Sequence, residues 1–181
     1  MDRAACHLRE LNVLKYLYQP DKKVLKQGAV MTDEAGNVVY EAQMLKNPLI
    51  GAMEFNFINH VSGKTIPHKV SKTVTTETTT GGLTDFFSTN SRFKLDGTNI
   101  WDYLHENGIR IDSNFSGNKL GMTYHVTQNG RELATLATST PKGKSFITSG
   151  NVYDVITEEQ DLDMAFLVTF AIARTGQVFY N

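Results

Sequence analysis

A continuous apolar run, Met164 to Ala173, constrains this chain more than any other stretch, and only Thr169 interrupts it. Its flanks carry helix signals. Thr157 and Gln160 have the spacing of a capping box. Glu158, Glu159, Asp161 and Asp163 place negative charge at the N-terminal end of the helix dipole. Arg174 sits at the other end, and Gly176 can take the left-handed stop conformation. A helix that is apolar all round must be buried all round, and Thr169 can satisfy its hydroxyl on the Ala165 carbonyl one turn back. A buried strand is the competing reading of so short a run, but the three alanines, the caps and the length favour a helix at about 158–174. A membrane span needs about 20 apolar residues, roughly twice this run. The expectation is a chain wrapped around a central greasy helix.

The rest of the chain reads as strands and turns. Met1 to Glu10 is mixed and polar, unlike a secretory leader, and is expected to form a tail or short outer helix. Residues 11–181 are expected to form a single domain, a size that can bury a core. Leu11–Gln19 ends at Pro20-Asp21. Val24–Thr32 and Val38–Ala42 flank Asp33-Glu34-Ala35-Gly36-Asn37, a hairpin pattern. Ala52–Ile58 alternates, with Met53, Phe55 and Phe57 on one face. Thr65–Thr80 is rich in threonine and valine, which suit a pleated sheet. Around Gln128-Asn129-Gly130-Arg131 the Asn-Gly pair predicts a second tight hairpin. Pro141-Lys142-Gly143 is a further turn, and Ser145–Ile147, Asn151–Ile156 and Gln177–Tyr180 read as late strands. A short amphipathic helix at 99–107 interrupts the strands, capped by Thr98 or Asn99 and stopped by Gly108. It is expected to lie over one opening of a mostly β, closed antiparallel barrel of about twelve strands.

Asn151-Val152-Tyr153-Asp154-Val155-Ile156 running into an apolar C-terminal helix resembles the LURP-one-related family, as do the hairpins at 32–40 and 129–134. The resemblance implies the tubby C-terminal-like fold, a barrel enclosing a hydrophobic helix. It also implies a non-enzymatic module, since relatives in that fold bind phosphoinositide headgroups or act at membranes. No residue of a lipid site carries over, because the likeness is one of pattern.

Charge and cysteine content narrow the classes further. A formal net charge of −1 argues against a general nucleic-acid partner. The single Cys6 cannot form an internal disulfide, so a cytoplasmic location is expected.

Each catalytic or metal motif is broken. Gly63-Lys64-Thr65 lacks the earlier P-loop glycine, since position 58 is isoleucine. Gly143-Lys144-Ser145-Phe146-Ile147 ends in Ile147 where a nucleophile elbow needs glycine. His105-Glu106 has Ile109 in place of a second zinc histidine. Asp112-Ser113-Asn114-Phe115-Ser116-Gly117 begins like a calcium loop, but Thr123 stands where the bidentate acid belongs, so a plain loop is expected. No catalytic residue, metal ligand or cofactor is assigned. The densest basic run holds Lys64, His68, Lys69 and Lys72, with Arg92 and Lys94 as candidates to join it. The expectation is therefore a non-enzymatic module in which Lys64, Lys69 and Lys72 bind a phospholipid headgroup or another small anionic or amphipathic ligand. The alternative is a protein-interaction or structural module with a filled barrel and no small ligand.

Overall fold

The computed structural model describes residues 13–20, 28–46, 52–79, 86–116, 121–139 and 152–175, without the side chains of 72–79, 86–92, 115–116 and 121. The described residues hold eleven strands. They are β1 (Val13–Pro20), β2 (Ala29–Thr32), β3 (Val38–Lys46), β4 (Met53–Asn59), β5 (Lys64–Thr79), β6 (Phe86–Leu95), β7 (Thr98–Asn99), β8 (Ile109–Ser116), β9 (Gly121–Gln128), β10 (Arg131–Thr138) and β11 (Tyr153–Glu158). Helix α1 (Ile100–Glu106) joins β7 to β8, and α2 (Leu162–Thr175) follows β11 through a single 3-10 turn at Glu159–Asp161.

The strands make one antiparallel sheet in the order β7-β6-β5-β4-β3-β2-β1-β11-β10-β9-β8. This corrects the expected barrel: β7 and β8 end the order and do not pair, so the sheet is open. The reason lies in α1. After two residues of β7, Asn99 accepts the Trp101 N–H at 2.9 Å and starts the helix. Ile100 and Leu104 then drive α1 into the core, against β6, β7 and β8. The edges are thus separated by a helix instead of being zipped by hydrogen bonds.

Turn chemistry agrees with the sequence at both predicted hairpins. The Asp33 carboxylate accepts from the Asn37 side-chain amide at 2.9 Å and from the Asn37 backbone N–H at 2.8 Å, and Gly36 takes φ +87°. Those bonds from Asn37 hold the Asp33 carboxyl below its ordinary range. At the other hairpin, Asn129 and Gly130 both have positive φ, 52° and 81°, as a tight two-residue connection requires. The 112–116 segment, expected as a loop, is strand β8. Asp112 lies opposite His125 and Ser116 opposite Gly121. The turn at 141–143, the strands expected at 145–147 and 177–180, the 1–10 tail and Gly176 lie outside the described residues.

Helix α2 organises the core. Its residues Leu162 and Ala165 to Ala173 are all buried. Phe166 stacks on Tyr40 of β3 at 4.3 Å between centroids and meets Phe57 of β4 edge-on at 5.5 Å and Tyr18 of β1 at 5.6 Å. One turn on, Phe170 meets Phe57 at 5.1 Å and Phe55 at 5.9 Å. The helix also contacts β6, β10 and β11, so strands from both halves of the sheet pack on it. Thr169, fully buried, donates to the Ala165 carbonyl at 2.7 Å. Thr157 does not cap the helix. It belongs to β11, and its hydroxyl donates to the Leu133 carbonyl of β10 at 2.7 Å. No described helix is long and apolar enough to cross a membrane.

Candidate functional site

The three candidate lysines share one strand but do not converge. The sixteen residues of β5 pair first with β4, up to Val70, and then with β6, from Val70 onward. Side chains alternate along a strand. His68 and Val70 turn toward the core, and Lys64 shares their face. Lys69, one step out of phase with them, turns outward and is exposed. Lys72 is eight positions beyond Lys64, roughly 26 Å along an extended strand. A single headgroup cannot be gripped by all three.

Lys64 is already engaged. The turn before it is built by Asn59, whose Oδ1 accepts the backbone N–H groups of Val61 and Ser62 at 3.0 Å each. Asn59 Nδ2 donates to Asp163 Oδ1 at 2.8 Å, and Lys64 Nζ donates to Asp163 Oδ2 at 3.3 Å. Burial, followed by the negative charge of Asp163, pushes the Tyr40 phenol well above its ordinary value. The Asn59 and Lys64 bonds tie the first turn of α2 to β4 and β5. Across the sheet, Arg131 holds Asp161 with two hydrogen bonds, 2.7 and 2.6 Å, and Asp161 raises the Arg131 guanidinium in turn. The acids read from the sequence as dipole partners are thus also clamps. At the far end, Arg174 lies over the Phe170 and Phe55 rings at 5.1 and 6.0 Å, and burial lowers its pKa.

His68 Nδ1 lies 2.7 Å from Asp96 Oδ2, and its ring meets the Phe57 edge at 4.8 Å. Asp96 Oδ1 accepts the Lys69 N–H at 2.7 Å, and the Asp96 N–H donates to the Lys69 carbonyl at 2.8 Å. The pair latches the Asp96–Gly97 turn onto β5. His105 and Glu106, the zinc-like pair, are exposed on α1. Among the described residues no three His, Cys, Asp or Glu side chains are grouped to hold a metal ion.

Strand register assembles a different set of charges on the outer face. Lys46 of β3 lies opposite Glu54 of β4, and Glu54 lies opposite Lys69 of β5. Lys94 of β6 lies opposite Ser71, the next outward position after Lys69. Beside Lys46 the β3–β4 register shifts between Met44 and Lys46, and the extra residue, Leu45, is left 56% exposed. A bulge of this kind re-aims a side chain that regular alternation would direct elsewhere. Lys94 was within reach of the sequence argument. Lys46 and Leu45 were not, because no sequence signal marks the bulge or its distant partners. Compared with known proteins, the chain matches no family model, no curated protein and no solved structure.

Proposed function

We propose that this chain is a non-enzymatic interaction module that binds through its outer surfaces, its interior being occupied by its own helix. The observation that carries this reading is the set of ring contacts from Phe166 and Phe170 to Tyr18, Tyr40, Phe55 and Phe57, which fills the space a ligand of a wrapped sheet would use. Broken motifs at Ile58, Ile109 and Thr123 support the absence of catalysis. Membership of the LURP-one-related family, on the order of strand and apolar helix, and a cytoplasmic location, on the single Cys6, belong to the same proposal. The competing reading, a small anionic or amphipathic ligand, draws support from one observation, the nearness of Lys69 to Lys94 on the outer face. Native mass spectrometry of the purified protein separates the two. The bare polypeptide mass is the expected result. A stoichiometric small molecule that survives gentle ionisation would overturn the filled-interior reading.

A further inference from the structure

The row Lys46, Glu54, Lys69, Lys94 carries four charges on neighbouring outer positions of β3 to β6. Lys46, Lys69 and Lys94 are exposed and Glu54 is half-buried. Directly opposed residues on adjacent antiparallel strands sit about 5 Å apart at Cβ, and diagonal ones about 7–8 Å. Even so, none of the four makes an ion pair with a described residue. The Asp96 carboxylate, which accepts the Lys69 backbone N–H, is also engaged by His68. Leu45, pushed out by the bulge, adds an exposed apolar side chain at the Lys46 end of the row.

From this pattern we infer that the outer face at Leu45, Lys46, Glu54, Lys69 and Lys94 docks an acidic segment of a partner protein. Resting on the interaction-module reading above, the inference names the face and the chemistry of the partner. The charge order along the row is positive, negative, positive, positive. A complementary segment sets carboxylates against the three lysines, one basic residue against Glu54, and an apolar side chain over Leu45. A uniformly anionic membrane plane fits this order poorly, because it would press negative charge onto Glu54. Charge pairs at an exposed face chiefly set specificity and encounter rate, so the interaction is fast and salt-sensitive.

The test uses the full chain and a short synthetic peptide of glutamates with one central lysine and a terminal leucine, read by fluorescence anisotropy. Saturable binding that weakens with added salt is expected. The triple reversal Lys46→Glu, Lys69→Glu and Lys94→Glu should weaken it about tenfold or more, with circular dichroism and melting unchanged. Lys64→Gln, on the other face, should leave binding intact, and Leu45→Ser should weaken it. Replacing the peptide lysine with glutamate should lower affinity for the wild type and restore it for Glu54→Lys. Absence of salt-sensitive binding, indifference to the triple reversal, or preference for phosphatidylserine vesicles over the peptide would each overturn the inference. The mass-spectrometric result is independent of all three, so the module reading can stand if this face fails.

Discussion

At the scale of single residues, the groups worth most are those that pin the helix ends. Asp161 is only 9% exposed, and Arg131 supplies its two charge-assisted hydrogen bonds. Removing the arginine strands a mostly buried carboxylate. Arg131 is itself half exposed, which tempers the loss through solvent screening. Arg131→Met should therefore lower the unfolding free energy by about 2 kcal/mol. Urea titration checks this, and the double variant with Asp161→Asn should lose less than the sum of the single changes. A second prediction concerns alkali. Burial raises the phenols of Tyr18, Tyr40 and Tyr153 above their ordinary value of 10.0. A group whose pKa is raised on folding contributes stability that is whole below the unfolded value and is lost as pH rises past it. Melting temperature should thus be insensitive to these phenols below pH 10.0 and fall above it. Of the seven tyrosines, these three should give phenolate absorbance only together with unfolding. Phenolate formation by all seven in a chain that remains folded would contradict the burial of these rings.

At the scale of elements, the junction of α1 with β8 meets the β9–β10 turn. Gly108 has φ +75°, and a Cβ there would stand 2.0 Å from Asn129 Oδ1. Across the junction, the Asn129 N–H donates to the Gly108 carbonyl at 2.9 Å, and Gln128 Nε2 donates to the Asn107 carbonyl at 3.1 Å. Gly36 has a similar φ of +87°, but nothing lies within 4 Å of a Cβ built on it. Both alanine variants incur the left-handed penalty of roughly 1–2 kcal/mol. Only Gly108→Ala must also displace the Asn129 side chain. The displaced atoms are the terminal amide of an exposed side chain, so Gly108→Ala should melt modestly below Gly36→Ala; equal melting temperatures would mean that the two turns do not press on each other. The same comparison explains why α1 keeps its place between the sheet edges. It is held at its start by Asn99 and beyond its end by the β9–β10 hairpin.

At the scale of the whole molecule, stability rests on a sheet gathered around one helix. Phe166 is fully buried and touches rings from β1, β3 and β4. Phe166→Ala should cost about 3–5 kcal/mol through lost burial and the cavity left behind. Phe166→Asp should prevent folding, because an unpaired charge inside an apolar core costs as much as a domain's total stability. If Phe166→Ala unfolds at the same denaturant concentration as the wild type, α2 is not the organising element. Ring contacts that join strands far apart in the sequence also make unfolding of α2 and of its neighbouring strands one event. The α2 amides should accordingly be among the slowest to exchange.

What was legible in the amino-acid sequence was local. The apolar run from Met164 to Ala173 can be satisfied only by burial, so α2 follows from composition and length. The turns at Gly36 and Asn129-Gly130 follow because few other residues accept positive φ. Alternation placed Phe55 and Phe57 inward. It also carried the information that Lys64 and Lys69, an odd number of positions apart, face opposite ways. Neighbours in one dimension, they lie on opposite faces of the pleated strand. Whether the sheet closes was decided only in three dimensions, because closure depends on two edges that α1 holds apart. Thr157 satisfies a strand carbonyl instead of a helix end for a similar reason: β11 still runs between β1 and β10 there, with Thr157 opposite both Leu14 and Ala134. Lys46, Glu54, Lys69 and Lys94 become neighbours through register and through a bulge that exposes Leu45. Register between strands is a property of pairs of segments, and no single segment contains it.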